Sequence, residues 1–544
     1  MKSPMYILAV LLPLVTELAL GSPTAEPEAD FESLEERGRG NDHDWDDNHD
    51  WHNHNPCEVK RSYPYYKYPC GSSVITGKSQ VGATFKPSCR YQNGNSGVWF
   101  LAPKGWVKET DKPRKCHKMA SVSTTPFADP LWLNRSFSPY YTDSHRRLQK
   151  EAREYVDTHI SPFCEEWEKQ GAVPQEVHKR HAELGYTAVS SFPLAADHLN
   201  GQRLPGDVDP KDWDEFHDIV VIDEIARCGY LGIIWALGCG NSIGGPPVIN
   251  FGNEEQKRRF LPDMLKGNIR FCLGVTEPDA GSDVAGITTT AERNGDVYIV
   301  NGAKKWITNG IFADYCTAAV RTGGEGTHGI SALIIPLKAP GVTCRKIENS
   351  GVHASGSTYI EFDRVEVPVA NLLGVENKGF PVIMNNFNHE RLWLACTSLR
   401  MARVCAEDAY QHAIKRETFG KKLIENQVIR AKFSAMARSL DSTYAWMEQL
   451  VYISQAAKKQ GVDASMGGLF ANLKVLAGQT LEKVNREAQQ VMGGLGYSKN
   501  GRGARIEQVS RDVRVMVVGG GSEEILSELA VNQEIKSMKK TSKL

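Results

Sequence analysis

Val275-Thr276-Glu277-Pro278-Asp279-Ala280-Gly281-Ser282-Asp283-Val284-Ala285-Gly286 is the stretch on which the reading of this chain turns. Small residues and exposed main-chain amides at this density let backbone come close to an anionic or polar ligand, as a pyrophosphate or a flavin edge requires. Upstream, between residues 143 and 267, apolar residues recur at helical spacing with few turn signals, as in 145–167 and 213–234. Downstream, to about Asn371, the texture changes to short strands (297–300, 331–335 and 358–362) separated by Gly, Asn and Pro. From Gly379 through Ala530 it is helical again. The expected fold class is therefore α+β, with helices, then a β domain, then helices.

The chain has 544 residues, 41% hydrophobic and 24% charged, with a formal net charge of −1. That is ordinary globular usage spread over about three domains. It gives no electrostatic case for nucleic acid or an anionic membrane as partner. The first 118 residues differ in character. Lys2 and an apolar run between Met5 and Leu20 read as a signal peptide over 1–21. A tract holding His43, His49, His52 and His54 reads as a solvated linker. Cys57, Cys70, Cys89 and Cys116 suggest two disulfides in any of three connectivities, and the absence of a CxxC pair argues against zinc. The other eight cysteines are scattered in apolar company, as buried reduced thiols are. Met119-Ala120-Ser121 would serve as a translation start, leaving 426 of the 544 residues. The last residues, Ser542-Lys543-Leu544, spell a peroxisomal address read by an import receptor, which conflicts with a signal peptide. The expected divisions are 1–21, 22–118, 119–270, 271–378 and 379–544.

Four further segments stand in order behind the first: Lys305-Trp306-Ile307-Thr308-Asn309, Arg416-Glu417-Thr418-Phe419-Gly420-Lys421 with Gln427, Gln490-Val491-Met492-Gly493-Gly494-Leu495-Gly496-Tyr497, and Arg511-Asp512. Together they resemble the acyl-CoA dehydrogenase family over nearly all of residues 140–535. The resemblance implies an N-terminal helical domain, a β-barrel-like middle domain, a C-terminal four-helix bundle, FAD as cofactor, and assembly as a homodimer or homotetramer. It assigns Val275 and Thr276 to the flavin's pyrimidine edge and places Trp306 against the ring, with Thr308 at N5. Ser282 goes to the pyrophosphate and the CoA arm, and Gly281 and Ile307 are cofactor-binding. Arg416 goes to the pyrophosphate of a neighbouring subunit's FAD, which suits a guanidinium fork. Phe419, Gln427, Gln490, Gly493 and Gly494 go to the adenine side, and Ser522 and Glu524 near the cofactor. No metal is implied.

The catalytic base departs from the family's commonest pattern. Where many members carry glutamate after the Arg-Asp pair, this chain has Gly520, and Glu523 and Glu524 lie about one helical turn further on. Members resembling the long-chain and isovaleryl enzymes carry the base in an earlier Glu-Arg pair. Here that place holds Asn388-His389-Glu390-Arg391, with Glu390 at the edge of an apolar stripe of Phe380, Ile383, Met384, Phe387 and Leu394. A carboxylate there must be paired, protonated or functional. Glu390 is thus the expected base, and Ser282, Asn388, Arg391 and Gly520 the expected substrate contacts. Asn388 stands where the family usually has aspartate.

The implied reaction is dehydrogenation of an acyl-CoA to trans-2-enoyl-CoA in fatty-acid β-oxidation, with electrons passing to an electron-transfer flavoprotein or to oxygen. The 426-residue length favours the dehydrogenase branch over the oxidases, which usually carry an extra helical domain. A nitroalkane-oxidising relative would need aspartate as base. A secreted binding module with a decayed enzyme tail conflicts with the intact flavin segments.

Overall fold

The computed structural model describes residues 62–67, 74–80, 89–93, 97–102, 104–108, 111, 123, 125–135 and 137–541. The expected signal peptide, the His-rich tract, Cys57, Cys70, Cys116, Met119 and Ser542-Lys543-Leu544 lie outside the described residues. The eight scattered cysteines are all free thiols, seven of them buried.

A small antiparallel sheet comes first, in the order β2-β1-β5-β4-β3: β1 (Pro64–Tyr66), β2 (Ile75–Lys78), β3 (Cys89–Asn93), β4 (Gly97–Ala102) and β5 (Gly105–Lys108). Its Trp99 is buried, with Tyr66 set edge-on at 5.2 Å.

The helical region that follows holds α1 (Leu131–Asn134), α2 (Asp143–His159), α3 (Cys164–Gln170), α4 (Gln175–Glu183), α5 (Tyr186–Ser190), α6 (Glu215–Ala226), α7 (Leu231–Gly244), α8 (Pro246–Phe251) and α9 (Glu254–Leu265). Its helix starts follow from local chemistry. Asp214 accepts from the Phe216 and His217 N–H groups to open α6, and Asn253 accepts from Gln256 to open α9. Helix α7 is apolar nearly all round and correspondingly buried.

Eight strands make the middle domain: β6 (Phe271–Gly274), β7 (Thr290–Asn294), β8 (Val297–Ile307), β9 (Tyr315–Arg321), β10 (Ile330–Pro336), β11 (Val342–Lys346), β12 (Thr358–Pro368) and β13 (Leu372–Leu373). They run β11-β12-β8-β7-β9-β10-β13, with β6 parallel to β9. The sheet is open, which corrects the barrel expectation. At the β13 edge the carbonyls of Ala370 and Leu372 accept instead from the Gln256 side-chain amide, both at 2.8 Å, so a helix of the preceding region occupies groups that barrel closure needs.

The C-terminal region holds α10 (Gly379–Met384), α11 (Phe387–Ala413), the hairpin β14 (Glu417–Thr418) and β15 (Lys421–Lys422), then α12 (Gln427–Lys459), α13 (Gly467–Met492), α14 (Ala504–Val518) and α15 (Glu523–Thr541). Helices α11–α14 form the bundle, and α15 packs on α13 through Ala471, Leu526 and Ala530. The apolar stripe from Phe380 to Leu394 is carried by two helices, because the chain breaks at Asn385-Asn386.

A buried ionic cluster ties the start of this body to its end. Arg153 on α2 binds Asp129 (2.9 Å) and Glu224 on α6 (2.6 Å), while Arg400 on α11 binds Asp129 (3.2 Å) and Asp223. Ser123 also donates to Glu407 at 2.7 Å, so the segment ahead of α1 is structurally part of the enzyme body. Removing one cation from such a cluster leaves a buried charge uncompensated. Arg153→Met is therefore expected to cost about 3–5 kcal/mol, read as a lowered urea midpoint of the FAD-loaded protein; an unchanged midpoint would refute the assignment.

Candidate active site

Helix α7 is the member against which the site is built. Its first turn is held where Leu231 N–H donates to Asp512 Oδ2 (3.1 Å), and Val352 N–H donates to the other oxygen (2.9 Å). The Arg511-Asp512 pair is therefore a structural anchor; Arg511 itself is bound to Glu507 at 2.9 Å. At the far end of α7, Gly240 N–H donates to Asn309 Oδ1 (2.8 Å), Phe271 N–H to Asn241 Oδ1 (2.8 Å), and the Asn386 side-chain amide to Ser242 O (3.0 Å). A Cβ on Gly240 would fall 2.4 Å from Phe271 O, and one on Gly244 2.6 Å from Cys272 O. One helix, pressed close because it carries glycines, thus fixes the Trp306-Ile307-Thr308 strand end relative to the helix that starts beside Asn386.

The two predicted flavin segments meet: Lys305 N–H donates to Thr276 O at 2.9 Å. Below them, Glu277 accepts from Lys304 (2.7 Å), Thr288 N–H (2.6 Å) and Thr289 N–H (3.0 Å), and Lys304 also donates to Val275 O (3.1 Å). Burial pushes the Glu277 carboxyl up, but the Lys304 ammonium and these bonds win and hold it at about 2. The 275–286 loop thus rests on a buried ion pair. Val275 and Ile307 are buried, whereas Trp306 has 54% of its surface exposed and a φ of +64°, so it is not a core aromatic. The half-buried Thr276 and Thr308 hydroxyls make no hydrogen bond among the described residues. Gly281 and Ser282 are exposed, and a Cβ at Gly281 would meet nothing within 4 Å. An exposed aromatic face flanked by open hydroxyls, on main chain pinned from beneath, fits an isoalloxazine edge.

The residues expected on the adenine side lie on the outer surface. Phe419 is wholly exposed at the tip of the β14–β15 hairpin, where it and Gly420 both adopt positive φ (52° and 73°). Arg416, Gln427, Gln490, Gly493 and Gly494 are exposed as well.

Glu390 lies in the first turn of α11 and is half-buried. Its carboxyl makes no ion pair and no hydrogen bond among the described residues, and Arg391 does not pair with it. Burial pushes it up to about 7, against the opposing pull of Arg391 and Lys474. Gly520 sits opposite, with φ +69°; a Cβ there would lie 3.6 Å from Glu390 Oε1 and 2.5 Å from Leu394 Cδ1. The two positions at which a carboxylate was considered therefore converge on one point in space. Arg391 is buried against the Phe387 ring at 5.6 Å and reaches Asn388 Oδ1 at 3.5 Å. Ser522 and Glu524 flank the start of α15, where the Glu524 carboxylate is held below its ordinary range by its own main-chain N–H and then by the Ser522 hydroxyl.

Three positioning features were not anticipated from the sequence: the Glu277–Lys304 pair, the asparagines Asn309 and Asn386, and Lys474. Lys474 on α13 donates to Val517 O (2.7 Å) and Gly521 O (2.8 Å), clamping the glycine loop. Burial pulls its ammonium down to about 8, and the Glu390 charge opposes that shift. Glu277 and Asn309 stand inside the motifs quoted above, whereas Lys304, Asn386 and Lys474 left no local trace.

Family models agree with this architecture. The acyl-CoA dehydrogenase N-terminal domain matches residues 142–268, the middle domain 272–365 and the C-terminal domain 377–533. The chain is 53% identical to "Acyl-CoA dehydrogenase AFT10-1" of Alternaria alternata over 419 residues, covering 76% of this chain and 97% of that protein. It is 42% identical to "Acyl-CoA dehydrogenase apdG" of Emericella nidulans, covering 77% and 98%. Among solved structures, a probable acyl-CoA dehydrogenase of Mycobacterium abscessus superposes with a TM-score of 0.66 at 34% identity, covering 72% of this chain and 99% of that one. This chain belongs to the acyl-CoA dehydrogenase family, an FAD-dependent oxidoreductase family acting on acyl-CoA.

Proposed function

We propose that Glu390 removes the α-proton of an acyl-CoA, giving the trans-2-enoyl-CoA, a step of the kind used in fatty-acid β-oxidation. The observation that carries this reading is the unpaired, half-buried Glu390 carboxyl facing Gly520. A carboxylate is a useful base when its pKa lies near working pH, and burial has moved Glu390 to about 7. Bound FAD would accept the β-hydrogen as hydride. Val275, Thr276, Trp306 and Thr308 would orient the ring, and the main-chain N–H of Gly520 would remain available to the thioester carbonyl, since glycine keeps that donor. Arg391, with its Nε unpartnered among the described residues, would serve the substrate side. An electron-transfer flavoprotein is the acceptor proposed first. Oxygen is the second reading, supported by the terminal Ser-Lys-Leu address, which also makes the peroxisome the proposed site of an enzyme starting at Met119. Turnover with oxygen alone, compared with an artificial acceptor, separates the two.

Three outcomes test this reading. Glu390→Gln should retain FAD yet lose acyl-CoA-dependent bleaching of the flavin. In the unsubstituted enzyme, kcat/KM should rise with pH through about 7 as the carboxyl ionises. Rapid bleaching by the variant, or a flat profile between pH 6 and 8, would count against Glu390.

Moving the carboxylate across the site is the complementary experiment. In Glu390→Gly with Gly520→Glu the new side chain must displace Leu394, so Leu394→Ala is added to make room. The triple variant should recover bleaching that Glu390→Gly lacks, with an altered chain-length preference.

Arg416→Ala should weaken FAD binding and the oligomer together, since the exposed guanidinium is assigned to a neighbouring subunit's cofactor. A charge-assisted contact of about 1.5–3 kcal/mol corresponds to roughly tenfold or more in the dissociation constant. Full FAD occupancy after dilution, with an unchanged oligomer, would overturn this assignment.

A further inference from the structure

Three successive main-chain N–H groups, those of Val352, His353 and Ala354, are gripped by two buried carboxylates. One comes from the N-terminal helical region and the other from the C-terminal one. Val352 N–H donates to Asp512 Oδ1 on α14 (2.9 Å), His353 N–H to Glu168 Oε1 on α3 (2.6 Å) and Ala354 N–H to Glu168 Oε2 (3.2 Å). A run of N–H groups like this is the form of an anion-binding nest. Here the protein fills it with its own anions.

The arrangement works against stability. Glu168 is 3% exposed and Asp512 fully buried, and no cation pairs with either among the described residues. The adjacent Lys169 is bound to Glu165 (2.7 Å), and the adjacent Arg511 to Glu507 (2.9 Å). Burial, and then the charge of Glu168, push the Asp512 carboxyl up to about 7. A single neutral group serves both carboxylates: the Gln508 side-chain amide donates to Asp512 Oδ1 (2.8 Å) and reaches Glu168 Oε1 at 3.5 Å. Val352 is held at φ +51°, which a β-branched residue rarely adopts. Glycines make the room, since a Cβ on Gly232 would collide with Glu168 Oε2 and one on Gly351 with Asp512 Oδ1. Buried charge without a counter-ion and backbone strain persist where the geometry they enforce is needed.

That geometry is the position of Ser355 O. The turn closes where Ser355 N–H and Oγ donate to Val352 O (3.1 and 2.8 Å). Ser355 O then accepts twice from Asn309, from its main-chain N–H (2.9 Å) and from Nδ2 (2.8 Å). Asn309 Oδ1 is taken by Gly240 N–H (2.8 Å) and its carbonyl by Phe312 N–H (2.9 Å), so every polar group of Asn309 is committed. Thr308, whose hydroxyl is left open, is the residue before it.

Resting on the acyl-CoA reading above, we propose that Glu168 is a positioning residue for hydride transfer, setting the Thr308 hydroxyl against flavin N5 through the 352–355 turn and Asn309. The carboxylate is consumed by the turn, and what it delivers is the place at which the strand end beyond Trp306 is tied down. Transfer of hydride is steep in geometry, so loosening this tie costs rate and not affinity.

The test uses full-length protein with and without FAD. Glu168→Gln keeps the size of the side chain but turns an amide N–H toward one of the two main-chain donors. In the FAD-loaded variant the single-turnover rate of bleaching by acyl-CoA should fall by about tenfold or more. FAD occupancy and the half-saturating acyl-CoA concentration should stay as they are, and the visible flavin bands should shift. Amide hydrogen exchange across residues 306–309 should quicken in the loaded and the FAD-free variant alike. Asn309→Ala cuts the same link further on, so adding Glu168→Gln to it should slow bleaching little more. Glu168→Asp keeps the charge and both acceptor oxygens and should lose a few-fold in rate, less than Glu168→Gln; it carries the test if the Gln variant fails to load FAD. Unchanged bleaching and exchange in a folded variant, or losses that multiply in the double variant, would overturn the proposal and leave Glu168 a stabilising residue only. No bleaching of the unsubstituted enzyme by any acyl-CoA would instead sink the underlying reading and this one with it.

Discussion

The close approach of α7 to the sheet governs this molecule. A helix and a strand can come within carbonyl contact only where side chains are missing, and Gly240 and Gly244 supply the gaps against Phe271 O and Cys272 O. The contact is not merely steric. Asparagine side chains on three sides convert it into a fixed register: Asn241 to Phe271, Asn309 to Gly240, and Asn386 to Ser242. Each bond alone is worth about 1 kcal/mol, but they are buried and mutually dependent, so the strand end bearing Trp306 and the helix bearing Glu390 move as one piece. Asp512 completes the arrangement from the far end by holding the first turn of α7.

Electrostatics then does what geometry permits. Glu390 and Lys474 are opposite charges near one another, yet they form no ion pair, because the ammonium is spent on Val517 O and Gly521 O. The lysine shapes the loop across from Glu390 and leaves the carboxyl unpaired. Had the two paired closely, the carboxylate would have been stabilised and made a weaker base. The contrast with Glu277 is instructive. There a buried carboxylate is saturated by Lys304 and two threonines and sits at about 2, which suits a strut and not a proton acceptor.

Much of this was legible in the chain. The order of helices, strands and helices followed from a switch in hydrophobic period, and two of the segments that the family resemblance assigned to the flavin meet through Lys305 and Thr276. Glu390 was the expected base by resemblance to members with an earlier Glu-Arg pair, together with the glycine at 520, and the structure sets the two positions face to face. What stayed hidden was relational. Lys474 is an unremarkable helix lysine until α13 is laid beside the 517–521 loop, and Asn386 reads as a loop residue until Ser242 O is placed opposite it. The barrel expectation failed for a similar reason: the side chain that takes the edge carbonyls, Gln256, is more than a hundred residues away from them. The helix break at Asn385-Asn386 was likewise invisible, because the apolar stripe continues across it.

Under the proposed function, a base on α11 has a structural consequence beyond proton transfer. A carboxylate on the loop at 520 would be independent of α11. On α11 Glu390 shares a turn with His389 and Trp393, so the register of one helix sets both the proposed proton acceptor and the wall of a neighbouring cavity. That register is guarded at both levels. Asn386 ties the first turn to α7, and Arg400, three turns on, binds Asp129 and Asp223 inside the protein. A helix cannot slip by one residue without stranding that guanidinium among groups no longer aligned to receive it, and an unpaired buried charge costs several kcal/mol. The ionic cluster thus protects the placement of Glu390 as well as stability, which gives a physical reason for so many charges in a core that hydrophobic residues of similar size would fill.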